Sequence, residues 1–334
     1  MTPEDPMTTL AAAPAATPAR RAPVASALAG LGRIRTALGT SGTASALFLA
    51  VVLVVALAAP LVAPYNPNLQ SLLDSYAGPS GAHLLGADGL GRDILSRLMY
   101  GARTSLLGPA LVVSVALLLG IPLALAAAWF GGAVNAVIAR IFDLVYALPG
   151  LLLAVLAVAL FGPGLVPAVA ALSIAYVPFL ARIVLAAARQ QRVSPYVDAL
   201  AVQGFGVVRI TVRHILRNIA PVVVGQAAIA FGYALLDLAS LSYLGLAVQA
   251  PTADWGVMVS DSNALMGGYW LPILAPGALI VLSVLSLTVL GARISGERPE
   301  PYLRRRSRAP RAAGPADASG AALPSRNAPT GAAS

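Results

Sequence analysis

Residues 196–221 read YVDALAVQGFGVVRITVRHILRNIAP, and long apolar runs stand on either side of them. Within the stretch lie Asp198, Arg209, Arg213, His214, Arg217 and Asn218. Hydrocarbon accepts such charges only at high cost. The segment is therefore expected to be a water-exposed excursion between membrane spans. It also has helical character: Val197, Leu200, Ala201, Val208, Val212, Ile215 and Ile219 recur at threes and fours with polar residues between them. Gly204 and Gly206 interrupt that period, which predicts two short helices joined by a bend. An ordered amphipathic loop on a membrane protein is a candidate docking element for a partner.

Composition agrees with a polytopic membrane protein. The chain has 334 residues, of which 58% are hydrophobic and 10% charged, and its mean hydropathy is +0.81. A soluble domain carries roughly 25% charged residues. No cysteine is present, which excludes disulfides, thiol catalysis and cysteine-ligated metals. The 22 basic residues are all arginine. A phosphate-binding loop needs its lysine, so the chain is not itself a standard ATPase. The net charge of +9 is better explained by arginine-rich cytoplasmic loops than by nucleic acid, which the apolar spans argue against.

Working outward, residues 1–43 are rich in Ala, Pro, Thr and Arg and read as a mostly disordered tail. The first apolar run begins too far from the start for a signal peptide and is long enough to span, so an uncleaved anchor is expected. Spans are expected at 44–63, 104–129, 137–161, 165–187, 222–246 and 271–292, making 44–292 the membrane domain. Residues 293–334 are polar and Pro-rich and read as a second disordered tail. Six spans place both termini on one side. Seventeen of the arginines fall in the two tails and in the connection between the fourth and fifth spans, against three in the first loop, Arg92, Arg97 and Arg103. The excess of positive charge makes the tails and the 196–221 segment cytoplasmic.

Segment 196–221 resembles the cytoplasmic signature loop of ABC-importer permeases. There an acidic residue and two alanines are followed three residues later by glycine, and a helical stretch ends near Ile-x-Leu-Pro. Here Asp198-Ala199-Leu200, Gly204 and His214-Ile215-Leu216 stand at those places. Residues 86–106, GADGLGRDILSRLMYGARTSL, resemble the block before the second span of the dipeptide/oligopeptide/nickel permeases. Residues 239–246, ASLSYLGL, with Pro251 and Asp254-Trp255-Gly256 beyond them, are similar to the end of the fifth span and the outward loop of the same group. The resemblance covers residues 44–295. It implies an all-α membrane protein of six transmembrane helices of the ABC-importer permease type, both termini cytoplasmic, in a bacterial plasma membrane. It also implies the C-type member of a permease pair. The partners implied are a second permease subunit, two ATP-binding subunits and an extracytoplasmic solute-binding protein, with no nucleic acid. The cargo implied is short peptides, with nickel or another small solute as the alternative. An ATP-independent secondary transporter is the rival class. The chain is expected to do no bond chemistry and to hold no cofactor or metal.

The resemblance further implies that residues 198–206 form the coupling helix that docks in a groove on an ATPase subunit. Asp198, Ala199, Leu200, Gly204, Phe205 and Gly206 are the residues expected to carry it, with Phe205 as apolar anchor. A helix lying on the lipid surface, with Arg209, Arg213 and Arg217 against anionic headgroups, is the plainer alternative. Asp237 is the acidic group inside a span. It either lines the pathway and meets a charged substrate group or makes a polar contact to a neighbouring helix. In the family that acid would fall at position 238, and Arg217 stands where a proline is usual. Ala87 likewise replaces the usual threonine. In the outward block Asp88 is expected to cap an interfacial helix starting near Gly91, with Asp93 in its first turn. Arg140 and Asp143 are spaced to pair locally. Pro122, Pro149, Pro178 and Pro276 fall inside spans as helix breakers. His83 and His214 are lone histidines with no ligand set around them.

Overall fold

Each apolar run forms a helix, and glycine, proline or a capping carboxylate sets its ends. The computed structural model describes residues 23–296, with side chains from residue 39 onward. The remaining parts of both tails, including the arginine run 304–306, lie outside the described residues. Helix α1 covers Pro23–Val62. It begins inside the stretch read from sequence as a tail. Gly39 breaks it (φ 68°, ψ −177°), and the apolar part is Gly39–Val62. Helix α2 covers Ile94–Phe130. The glycine pair Gly131-Gly132, both at positive φ, turns the chain into α3, Gly132–Tyr146, which is followed by α4, Gly150–Phe161. Helix α5 is Leu165–Arg192 and α6 is Pro195–Val202. A π-helical stretch, Arg209–Ile215, leads directly into α7, Leu216–Tyr243. Two short helices, α8 (Trp255–Val259) and α9 (Ser262–Met266), precede α10, Leu271–Ile294.

Five of these helices are long and apolar enough to cross a membrane, and α3 with α4 makes a sixth if that pair is one span. The pair is bent by 73°, with Pro149 at the break. The continuous third span expected over 137–161 is therefore two helices. Proline lacks the N–H that would continue the ladder and pushes Leu148 out of helical conformation. Among the described residues the extended pairing is a single isolated bridge, Ala87 to Asp93.

Small residues let the long helices approach closely, because lipid supplies no hydrophobic drive for them to associate. Along α2, Ala116, Gly120, Ala124 and Ala127 are spaced on one face and meet Val177, Ala181, Val184 and Ala188 of α5. The α7–α10 crossing is built on Gly225 and Gly291, each abutting the other's backbone so that neither site has room for a Cβ.

One end of the bundle carries a folded loop unit made from residues 63–93 and 244–270. Asp93, rather than Asp88, caps the helix there: its carboxylate accepts from Ser96 N at 2.8 Å and Ser96 Oγ at 2.7 Å. Its other oxygen meets His83 Nδ1 at 3.0 Å. The helix it starts is α2 itself, so the interfacial helix expected from sequence is the first turns of a long span. Asp88 instead ties a turn, accepting from Leu90 N and Arg92 N at 3.0 Å each and from Arg92 Nε at 2.7 Å. Arg97, 1% exposed, lies 3.5 Å from the same carboxylate and donates to the carbonyls of Pro67 at 3.0 Å and Pro251 at 3.3 Å. It thus joins both loops to α2. Asp254 caps α8 through Gly256 N (2.9 Å) and Val257 N (3.3 Å), and accepts from Ser105 Oγ of α2 at 2.6 Å. Burial pushes the Asp254 carboxyl up from its ordinary value against the pull of these bonds. Fully buried Trp255 donates through Nε1 to Leu98 O at 3.0 Å. Tyr76 stacks on Tyr269 and donates to Asp261, and burial beside that carboxylate pushes its phenol up to about 12.

Two substitutions test this packing. Arg97→Leu leaves Asp88 with Arg92 but removes the donor to the Pro67 and Pro251 carbonyls that ties both loops to α2, and is expected to cost about 2 kcal/mol and to open the loop unit to protease. An unchanged melting temperature and cleavage pattern would contradict it. Gly291→Val is expected to lower stability by about 2 kcal/mol through overpacking. Gly277→Val on the same helix, where a Cβ meets nothing within 4 Å, should be neutral in the same melt.

Candidate coupling element and membrane cavity

The polar segment forms a compact element at the end of the bundle opposite the loop unit. Pro195 opens α6 at a position where its missing N–H costs nothing, and Asp198 stands in the first turn, where the helix dipole favours a carboxylate. The helix closes with a Schellman turn. Gly204 has φ 82°; its N–H donates to Ala201 O at 3.0 Å, and Phe205 N–H donates to Leu200 O at 3.1 Å. That left-handed position explains the glycine. Gly206 does not share the positive φ; its carbonyl accepts from Ile210 N at 3.1 Å and opens the next helix. The bend is therefore at Gly204 alone. The second of the two short helices expected from sequence is the start of the long α7 span, widened by the π turn. Thr211 Oγ1 there donates back to Val207 O at 2.9 Å.

Side chains lock α6 to its neighbours. Val197, Ile210 and Ile215 are buried in one core with Val184 and Ala188 of α5. Tyr196 Oη donates to Gln191 Oε1 at 2.9 Å, and Asn218 Nδ2 donates to Tyr196 Oη at 3.1 Å, joining the end of α5, α6 and the start of α7. The Arg192 guanidinium lies 4.2 Å over the Trp129 ring and 3.8 Å from Asp198. Phe205, expected as an anchor for a partner, is half-buried against its own chain. Arg209 covers its ring at 4.7 Å and His214 meets its edge. The exposed surface of the turn is instead Asp198, Ala199, Ala201, Val202 and Gly204, with Leu200 partly buried. Val202 is 89% exposed and is the outstanding apolar side chain. Sequence periodicity alone could not separate Phe205 from Val202, because the turn returns the Phe205 N–H to Leu200 O and leaves the ring against Arg209 and His214.

A cavity of about 620 Å³ lies beside the Pro149 bend, between α3–α4, α5 and α7. Asp237, on the last two turns of α7, is in its wall, and the Tyr176 hydroxyl donates to its Oδ2 at 2.8 Å. Leu238, about 100° round the helix, lies in the core with Val112 and Leu241. The one-residue offset noted in the sequence thus turns a carboxylate into the cavity and leaves an apolar side chain inside the bundle. Arg140 and Asp143 do not pair; Asp143 Oδ1 accepts from Arg182 Nη2 of α5 at 2.6 Å, and Arg182 also lies 4.6 Å over Tyr146. Asp88, Arg92, Arg97, Tyr76 and Asp261 line a second cavity of about 600 Å³ in the loop unit.

Comparison with known proteins places this architecture. The chain is 40% identical over 252 residues to the di/tripeptide transport system permease protein DppC of Pseudomonas aeruginosa (strain UCBPP-PA14), covering 73% of this chain and 83% of that one. It is 43% identical over 251 residues to the dipeptide transport system permease protein DppC of Escherichia coli (strain K12), with the same coverage. A chain of the MetNI methionine ABC transporter, solved in inward-facing conformations, shares the fold at a TM-score of 0.50 and 18% identity, over 61% of this chain and 96% of that one. Residues 116–296 match the family model described as the binding-protein-dependent transport system inner membrane component. The chain belongs to that family: it is a multi-pass permease subunit of an ABC importer.

Proposed function

We propose that the chain forms half of the translocation pathway of an ATP-driven importer for short peptides. A second permease subunit completes the pathway, and two cytoplasmic ATPase subunits drive it. A solute-binding protein delivers cargo to the loop unit. Peptide cargo is supported by the relatives named as dipeptide permeases at 40% and 43% identity over most of their length. The lysine-free composition supports placing ATP hydrolysis on other subunits. The arginine excess supports a cytoplasmic position for the segment 196–221 and for the residues beyond both ends of the membrane domain.

One observation carries the coupling role. The exposed rim of α6, from Asp198 through Ala199 and Ala201 to Gly204, is a short knob tied through Tyr196 to the end of α5 and the start of α7. A push on it moves two spans, which is what alternating access requires of a joint. A helix resting on lipid headgroups would turn its apolar side outward, whereas Val197, Ile210 and Ile215 are turned into the protein. Asp237 and its cavity belong to the pathway in this reading, since a carboxylate facing lipid is unfavourable.

Gly204→Asp is expected to abolish peptide uptake while the complex still inserts and the ATPase subunits still hydrolyse ATP. It strains the left-handed turn and places a charge on the docking rim. Phe205→Asp is expected to do the same by removing the ring that packs against Arg209 and His214. Uptake at wild-type rates by both variants in reconstituted vesicles would refute the coupling assignment.

A further inference from the structure

The wall of the cavity beside Pro149 has an unusual chemical balance. It carries one formal charge, the Asp237 carboxylate, among Tyr146, Tyr176, Phe179, Tyr233 and aliphatic side chains. Tyr176 fixes one carboxylate oxygen at 2.8 Å. Among the described residues no arginine or histidine pairs with Asp237. Arg182 approaches this wall at Tyr146 but is held by Asp143 at 2.6 Å. A carboxylate within a span calls for a cation. Tyrosine and phenylalanine rings offer their negative faces to the same kind of group. The cavity is far too roomy for a bare metal ion, and one carboxylate is not an oxygen ligand set. Its volume of about 620 Å³ falls within the roughly 300–1,000 Å³ of sites for small organic molecules. The fitting ligand is therefore a primary ammonium on an apolar body.

We propose that this cavity receives the α-ammonium group of the transported peptide, with Asp237 as its counter-charge and Tyr176 as the residue that orients the carboxylate. The assignment rests on the peptide-import reading above. It gives the permease a selectivity of its own: a free amino end is recognised inside the membrane, independently of any selection by the solute-binding protein.

The test uses the purified importer, this chain with its partner permease and ATPase subunits, without solute-binding protein. Equilibrium binding of radiolabelled Ala-Phe is compared with that of N-acetyl-Ala-Phe. Wild type is expected to prefer the free-amino peptide by about tenfold or more, the scale of one charge-assisted hydrogen bond. Asp237→Asn is expected to lose that preference, and Asp237→Glu to keep most of it. Absence of the preference in wild type, including absence of binding of either peptide, overturns the proposal; that comparison stands even if the Asn variant does not assemble. So does an undiminished preference in Asp237→Asn. An N-acetylated lysine peptide that binds as well as free Ala-Phe overturns the assignment to the amino end. ATP-driven uptake with solute-binding protein separates the two readings: a wild-type importer that carries no peptide refutes peptide import, whereas one that carries peptides but shows no preference refutes this inference alone.

Discussion

Hydrocarbon tolerates neither a bare charge nor an unpaired backbone group, and this constraint governs where everything polar in the chain is found. The apolar runs become helices whose ladders satisfy their own backbone. The charges that remain are gathered at the two ends of the bundle or held in pairs. Arg97, on the first turns of α2, pairs with Asp88 and donates to a carbonyl of each of two loops. Arg182 and Asp143 join α5 to α3. Asp237 is the exception, a carboxylate with a single tyrosine partner facing a cavity. A site that departs from a rule obeyed elsewhere in the molecule is where function is expected.

The same constraint shapes the segment around α6. Residues 193–215 must leave the membrane and return within a short length, so the turn between α6 and α7 is tight and closed by local hydrogen bonds. Gly204 supplies the left-handed step, the Schellman bonds close α6, and Tyr196 with Gln191 and Asn218 ties three helix ends together. The α7 helix answers with a π turn, which accommodates the extra residue without breaking the span. The small residues along α2, α5, α7 and α10 let the spans themselves behave as rigid rods.

Much of this was legible in the sequence, and what was not has local physical causes. Apolar run length located the five helices long enough to cross a membrane and the bent pair α3–α4. The charge pattern of residues 196–221 marked the excursion, and its glycine spacing marked the turn. Periodicity could not show that α2 begins at Ile94, because Arg97 and Arg103 look like loop residues until Asp88 and the loop carbonyls are seen to receive Arg97. It could not show that Pro149 splits the third span by 73°, since proline is also found in gently kinked helices. Local spacing suggested Arg140 for Asp143, whereas the tertiary partner is Arg182. Phe205 was read as an apolar anchor for a partner, and the fold sets its half-buried ring against Arg209 and His214. At Asp237 the sequence showed a charge in a span, and only the fold shows that it faces a cavity while Leu238 faces the core.

The central claim is that α6 lies on the cytoplasmic side against an ATPase subunit while the loop unit lies outside. The chain contains no cysteine, so single cysteines report position without background. Val202→Cys on the rim of α6 and Asn263→Cys in the loop unit place exposed thiols at opposite ends of the bundle. In intact cells, a membrane-impermeant maleimide should label the cysteine at 263 and spare the one at 202. In inverted vesicles the cysteine at 202 should cross-link to a nucleotide-binding subunit. Labelling at 202 from outside, or no cross-link to such a subunit, would contradict the account.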